Sequence, residues 1–130
     1  MRPWVWVRAP TTIAEGVGTR HNRRMTSASH PSIAGHLLIE CLIEQGVERA
    51  YGVPGESYLA ALDGFHAHRE RIRFITCRQE GGAAFMAEAE GKLTGRPGVL
   101  FVTRGPGATN ATVGIHTAFQ DSTPMVLFVG

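Results

Sequence analysis

Glu80 is the residue whose surroundings first suggest chemistry. It follows a short apolar run ending at Cys77 and is succeeded at once by Gly81 and Gly82. A strand that fixes a carboxylate near its end, beside two residues without side chains, lets a ligand approach that carboxylate closely. The same placement has a plainly structural reading. A carboxylate in the first turn of a helix complements the helix dipole by roughly 0.3–1 kcal/mol. Both readings fit the spacing.

Two further loops could take part. Gly105–Pro106–Gly107–Ala108–Thr109–Asn110 follows the apolar run 99–103 and opens the next helical pattern, the place where phosphates are cradled. It departs from the dinucleotide fingerprint, because Asn110 stands at the third glycine position and Pro106 lacks a backbone donor. A tight structural turn is therefore the stronger reading, with a Rossmann-type nucleotide-binding module as the weaker one. Gly52–Val53–Pro54–Gly55 reads as a turn that also offers a flat, side-chain-poor surface for a planar ring. The six histidines are scattered, and nothing in the spacing resembles a metal constellation or a Ser-His-Asp set. Cys41 and Cys77 lie in apolar segments without a CxxC or His-spaced partner, which predicts two buried free thiols in a cytoplasmic protein.

The elements that must position these loops alternate. Ile33, Leu37, Cys41 and Ala34, Leu38, Leu42 recur at helical spacing, with Ser29 or Ser32 as a possible cap and Gly46 as the stop. A buried strand over 47–53 follows, then a helix capped by Ser57 with Leu59, Leu62 and Phe65 on one face. Strands are predicted over 73–77, 99–103 and 124–129, and helices over 81–93 and 107–118. Continuous apolar strands alternating with helices predict an α/β fold, a three-layer α/β/α arrangement around a mostly parallel sheet. Ligands of such open sheets bind beyond the carboxyl ends of the strands, where all three loops belong. The chain ends inside its last predicted strand, so the domain over 31–130 is expected to be incomplete at its C-terminus.

Charge separates the leader from the rest. Residues 1–30 hold five arginines and one glutamate, while residues 31–130 hold eight basic and ten acidic side chains. The basic balance belongs to the leader, expected to be disordered or to precede a true start at Met25, and it argues against a nucleic-acid surface on the folded part. No apolar run is long enough to span a bilayer, so no membrane helix is predicted.

Taken together, four ordered motifs carry a resemblance. They are Tyr51–Gly52–Val53–Pro54–Gly55, then Arg78–Gln79–Glu80–Gly81–Gly82–Ala83–Ala84, then Thr103–Arg104–Gly105–Pro106–Gly107–Ala108–Thr109–Asn110, then Asp121–Ser122–Thr123–Pro124. Over about residues 31–130 the chain resembles the N-terminal pyrimidine-binding domain of thiamine-diphosphate enzymes of the acetolactate synthase type, a Rossmann-like fold. The resemblance implies that Glu80 hydrogen-bonds the cofactor's aminopyrimidine and favours the imino tautomer, which removes the proton from C2 of the thiazolium. A buried carboxyl in that role is expected to have a raised pKa. The resemblance also implies that Pro54 and Gly55 line one wall of the pyrimidine site and Thr103, Pro106 and Asn110 the other. The reaction implied is decarboxylation or carboligation of a 2-keto acid such as pyruvate, as in branched-chain amino acid biosynthesis.

Two positions depart from the family pattern. Glu56 stands where many relatives have a second glycine, and Arg104 where serine is commoner; both lie near the mouth of the site. The chain also contains no Gly-Asp-Gly, the motif that with a downstream Asn holds Mg²⁺ and the diphosphate. The resemblance therefore implies that only the pyrimidine end of thiamine diphosphate is bound here. Mg²⁺ and the diphosphate are expected from a partner domain or subunit in a homo- or hetero-oligomer. The alternative is a truncated, non-catalytic remnant of such an enzyme.

Overall fold

The computed structural model describes residues 33–130. The expectations for residues 1–30, and the caps at Ser29 and Ser32, lie outside the described residues. Four helices alternate with four strands: α1 (Ala34–Glu44), β1 (Arg49–Gly52), α2 (Leu59–Ala67), β2 (Arg73–Thr76), α3 (Glu80–Thr94), β3 (Gly98–Val102), α4 (Arg104–Gln120) and β4 (Met125–Val129). A 3-10 turn over Glu56–Tyr58 leads into α2. The sheet is parallel throughout, in the order β2-β1-β3-β4. Register is tight in the middle, where Tyr51 pairs with Ile75 on one side and Leu100 on the other.

Strand alternation splits the interior into two cores. Val99 and Phe101 of β3 face α1 and α2, together with Ala50, Tyr58, Phe65 and Phe74. Leu100 and Val102 face α3 and α4, together with Tyr51, Ala83, Ala84, Ala87 and Ala111. All five residues of β3 are buried, as a strand covered on both faces requires. The fold is the expected three-layer α/β/α arrangement.

Several local expectations are corrected. The buried face of α1 carries Ile39 and Leu42, with Leu38 and Ile43 partly buried, while Ile33, Leu37 and Cys41 are exposed. Cys41 stands about 200° round the helix from Ile39, which puts it on the far side. Cys77 is half-buried, so neither thiol is fully enclosed, though both are free. Ser57 does not cap α2, because it lies inside the 3-10 turn that precedes that helix. Leu59 is exposed, and α2 instead buries Ala61, Gly64 and Phe65. Helix α4 begins at Arg104 instead of Gly107, so Pro106 lies in its first turn, where a missing N–H costs no helical bond.

Candidate functional site

The carboxyl ends of β1, β2 and β3 bring the three loops to one edge of the sheet. Glu80 opens α3 immediately after β2. The helix is started by Gln79, whose side-chain oxygen accepts the Gly82 N–H at 2.9 Å. That cap satisfies one donor of the first turn and leaves the Glu80 carboxylate to other partners. Glu80 is half-buried, and its Oε2 accepts a hydrogen bond from Asn110 Nδ2 at 3.1 Å. Asn110 is an exposed residue of α4, two turns into the helix that follows β3.

Close packing of α3 on α4 makes this contact possible. A Cβ on Gly114 would lie 2.5 Å from that of Ala84, and one on Gly81 would lie 3.2 Å from the Asn110 carbonyl oxygen. Gly107 brings the first turn of α4 near the carboxylate, since a Cβ there would stand 3.5 Å from Glu80 Oε1. Beside Gly82 there is open space. Among the described residues, Glu80 Oε1 has no hydrogen-bond donor.

The β1 loop supplies the facing side. Pro54 is exposed and Gly55 half-buried. Gly55 presses directly on Thr103: a Cβ there would fall 1.4 Å from Thr103 Oγ1, so no other residue fits without displacing Thr103 or the turn. Thr103 precedes α4 and its carbonyl accepts the Gly107 N–H at 2.9 Å, while its buried hydroxyl oxygen has no partner. Pro106 stays exposed in the first turn of α4. The structure thus joins Glu80 to Asn110, and Gly55 to Thr103.

Three residues at this edge carry interactions that spacing did not reveal. Tyr58 is buried, and its hydroxyl donates to the Val53 carbonyl. Burial, and then the charge of Glu80, push its phenol up to about 12. From sequence, Tyr58 reads as one more apolar position entering α2. Glu56 and Arg104, noted above only as departures, pair with each other at 3.1 Å between the β1 and β3 loops. Both are more than half exposed, so the pair stabilises the fold by about 0–1 kcal/mol. Arg104 also has a positive φ of 49°, an uncommon conformation for a residue with a side chain.

The fold and this edge define a class: a parallel α/β domain that presents a carboxylate and an amide beside glycine-lined space at the carboxyl ends of its strands. Residues 33–130 match the family model described as "Thiamine pyrophosphate enzyme, N-terminal TPP binding domain". The chain belongs to that family. It is 45% identical over 94 residues to an acetolactate synthase of Bacillus subtilis, covering 72% of this chain and 16% of that protein. It is 43% identical over 100 residues to the acetolactate synthase large subunit of Lactococcus lactis, covering 77% and 17%. A pyruvate oxidase of Lactiplantibacillus plantarum is 39% identical over 98 residues, covering 75% and 16%. The chain therefore spans about a sixth of the length of these curated relatives.

The residues present fit the pyrimidine end of thiamine diphosphate. A free carboxylate oxygen, an orphaned hydroxyl at Thr103 and open space at Gly82 suit a flat heteroaromatic ring with polar edges. Among the described residues, no three His, Cys, Asp or Glu side chains gather to hold a metal ion, and no helix is long and apolar enough to cross a membrane.

Proposed function

We propose that residues 31–130 form the pyrimidine-binding half of a thiamine-diphosphate-dependent enzyme acting on 2-keto acids, with Glu80 as the residue that activates the cofactor. The observation that supports this most is the Glu80 carboxylate, held by Asn110 through one oxygen and open at the other, beside the space at Gly82. In this reading Glu80 hydrogen-bonds a ring nitrogen and exchanges a proton with it at that open oxygen. Asn110 keeps the carboxylate in place, and Gly81 and Gly82 keep side chains away. Pro54 and Gly55 form one wall, while Thr103 and Pro106 begin the other. The cofactor, when bound, supplies the electron sink for breaking or making a bond at the keto carbon.

The relatives' names include acetolactate synthase and pyruvate oxidase, which supports pyruvate or a similar 2-keto acid as substrate. A diphosphate-binding domain that holds Mg²⁺ would come from a partner chain or domain, in a homo- or hetero-oligomer. Residues 31–130 alone are accordingly expected to bind thiamine diphosphate weakly or not at all. Micromolar, Mg²⁺-dependent binding by calorimetry would contradict that expectation.

The test is exchange of the C2 proton of bound thiamine diphosphate for deuterium, measured by NMR in enzyme assembled from this chain and a diphosphate-binding domain. Glu80→Gln should slow the exchange roughly 10²- to 10⁴-fold, the usual contribution of a positioned proton donor and acceptor. Unchanged exchange would remove Glu80 from the role, whereas a parent assembly no faster than free cofactor would favour the non-catalytic remnant.

A further inference from the structure

Pro54 stands exposed at the mouth of the site on a loop that must keep its shape without help from a ladder of strand bonds. Its own nitrogen carries no hydrogen, so it cannot tie the loop down. The bonds come from one residue farther along the chain. The Tyr58 hydroxyl donates to the carbonyl of Val53, just before the proline. The Tyr58 backbone N–H donates to the carbonyl of Gly55, just after it, at 3.4 Å. Tyr58 therefore holds the loop on both sides of Pro54. Its ring is anchored in turn, at centroid distances of 5.6 Å from Phe101 and 6.5 Å from Phe74. Phe101 is buried and stacks on Phe128 at 4.6 Å, so the anchor is the aromatic core itself.

We infer that Tyr58 is a positioning residue of the cofactor site: its hydroxyl couples the aromatic core to the Val53–Pro54–Gly55 wall and sets that wall opposite Glu80. The inference deepens the thiamine-diphosphate reading and rests on it for the identity of the ligand. The geometry explains why a tyrosine serves better than a phenylalanine, since the ring alone would fill the core and leave the Val53 carbonyl unheld. Gly55 rests on Thr103, and a Cβ on Gly107, four residues farther on, would stand 3.5 Å from Glu80 Oε1, so the wall and the carboxylate share one edge.

Two measurements test it. The chain has two tyrosines, so in a Tyr51→Phe background ultraviolet phenolate absorbance reads Tyr58 alone. Adding Glu80→Gln should lower the titration midpoint from about 12, because one of its two causes is removed. An unmoved midpoint would overturn the placement of Tyr58 beside Glu80, whatever the ligand. In the assembled enzyme, Tyr58→Phe should weaken thiamine diphosphate affinity about 3- to 10-fold as the wall loses its tie, with only the small drop in thermal stability that one internal hydrogen bond accounts for. Tyr58→Leu should lose both affinity and stability. If Glu80→Gln abolishes C2 exchange while Tyr58→Phe keeps full affinity, Tyr58 has no positioning role and the thiamine reading stands. If the parent assembly neither binds thiamine diphosphate nor speeds exchange of its C2 proton, the thiamine reading falls, and the inference falls with it.

Discussion

The two faces of the sheet are packed in opposite ways. Toward α1 and α2 the interior is aromatic: Tyr58, Phe65, Phe74, Phe101 and Phe128 meet at ring centroid distances of 4.6–6.5 Å. Toward α3 and α4 the helices present alanine and glycine: Ala83, Ala84, Ala87, Ala111, Gly114 and Ala118 are all buried. Large rings fill volume and hold helices away from the sheet by their own thickness. Small residues let backbones meet, and Gly98 runs so close to Ala87 that a Cβ would lie 1.9 Å from its carbonyl oxygen. The difference teaches where each job is done. The aromatic face supplies bulk stabilisation and, through Tyr58, anchors the Val53–Pro54–Gly55 loop. The small-residue face sets distance, bringing Glu80 of α3 within a hydrogen bond of Asn110 on α4.

The sharpest way to break this contrast is to enlarge one face and hollow the other. Phe101→Ala should destabilise the domain by about 3–5 kcal/mol, because it empties the centre of the ring cluster. Chemical denaturation would read the loss. A cost below about 1 kcal/mol would mean the aromatic face is not the main source of stability.

A second effect is read by pH. The Tyr58 phenol titrates near 12, against an ordinary 10, so the folded state keeps a proton that the unfolded state has already released. Its contribution is complete below pH 10 and is lost as pH rises toward 12. On the other face, burial and the nearby Glu90 carboxylate raise the Tyr51 phenol. Lys92, bonded to Asp121 and Glu88, is likewise raised to about 12. All three shifts have the same sign, so stability should decline across that window in the parent chain. In Tyr58→Phe the decline should be shallower but still present. An equal slope in both proteins would remove the Tyr58 share.

The smallest effect concerns helix spacing. Gly114→Ala places a methyl group 2.5–2.9 Å from Ala84 and the backbone of Phe85. Overpacking costs about 1–3 kcal/mol, and the better helix propensity of alanine returns about 1, leaving a net loss of about 0–2 kcal/mol. The telling outcome is functional. By pushing α3 from α4, the substitution should also slow C2 exchange, whereas Phe101→Ala, assayed well below its unfolding transition, should slow it less. If Gly114→Ala left exchange unchanged, the close approach of α3 and α4 would not be what sets Glu80 against Asn110.

Much of this was legible in the residues. Alternating apolar strands and helices announce a covered parallel sheet, because a strand buried on both faces has no polar positions to spare. Glu80 at a strand end followed by two glycines was visible for the same local reason, and so were the turns at Pro54–Gly55 and Gly105–Pro106–Gly107. The misreadings share a cause as well. In α1, Ile33, Leu37 and Cys41 make as good a stripe as Leu38, Ile39 and Leu42, and periodicity cannot say which stripe the sheet will take. Ser57 has the side chain of a helix cap, but the chain forms a 3-10 turn there and α2 starts later.

The sequence by itself therefore determined the order and type of the elements and the edge of the sheet to which the three loops come, since both follow from local pattern and chain direction. Only the tertiary structure decided the partnerships. Glu80 finds Asn110 thirty residues away, Glu56 finds Arg104, and Gly55 rests on Thr103. Even Tyr58, four residues beyond Pro54, holds that loop only because the aromatic core fixes its ring. Such contacts depend on how closely helices and loops pack, and that distance is set by the summed volumes of residues far apart in the chain.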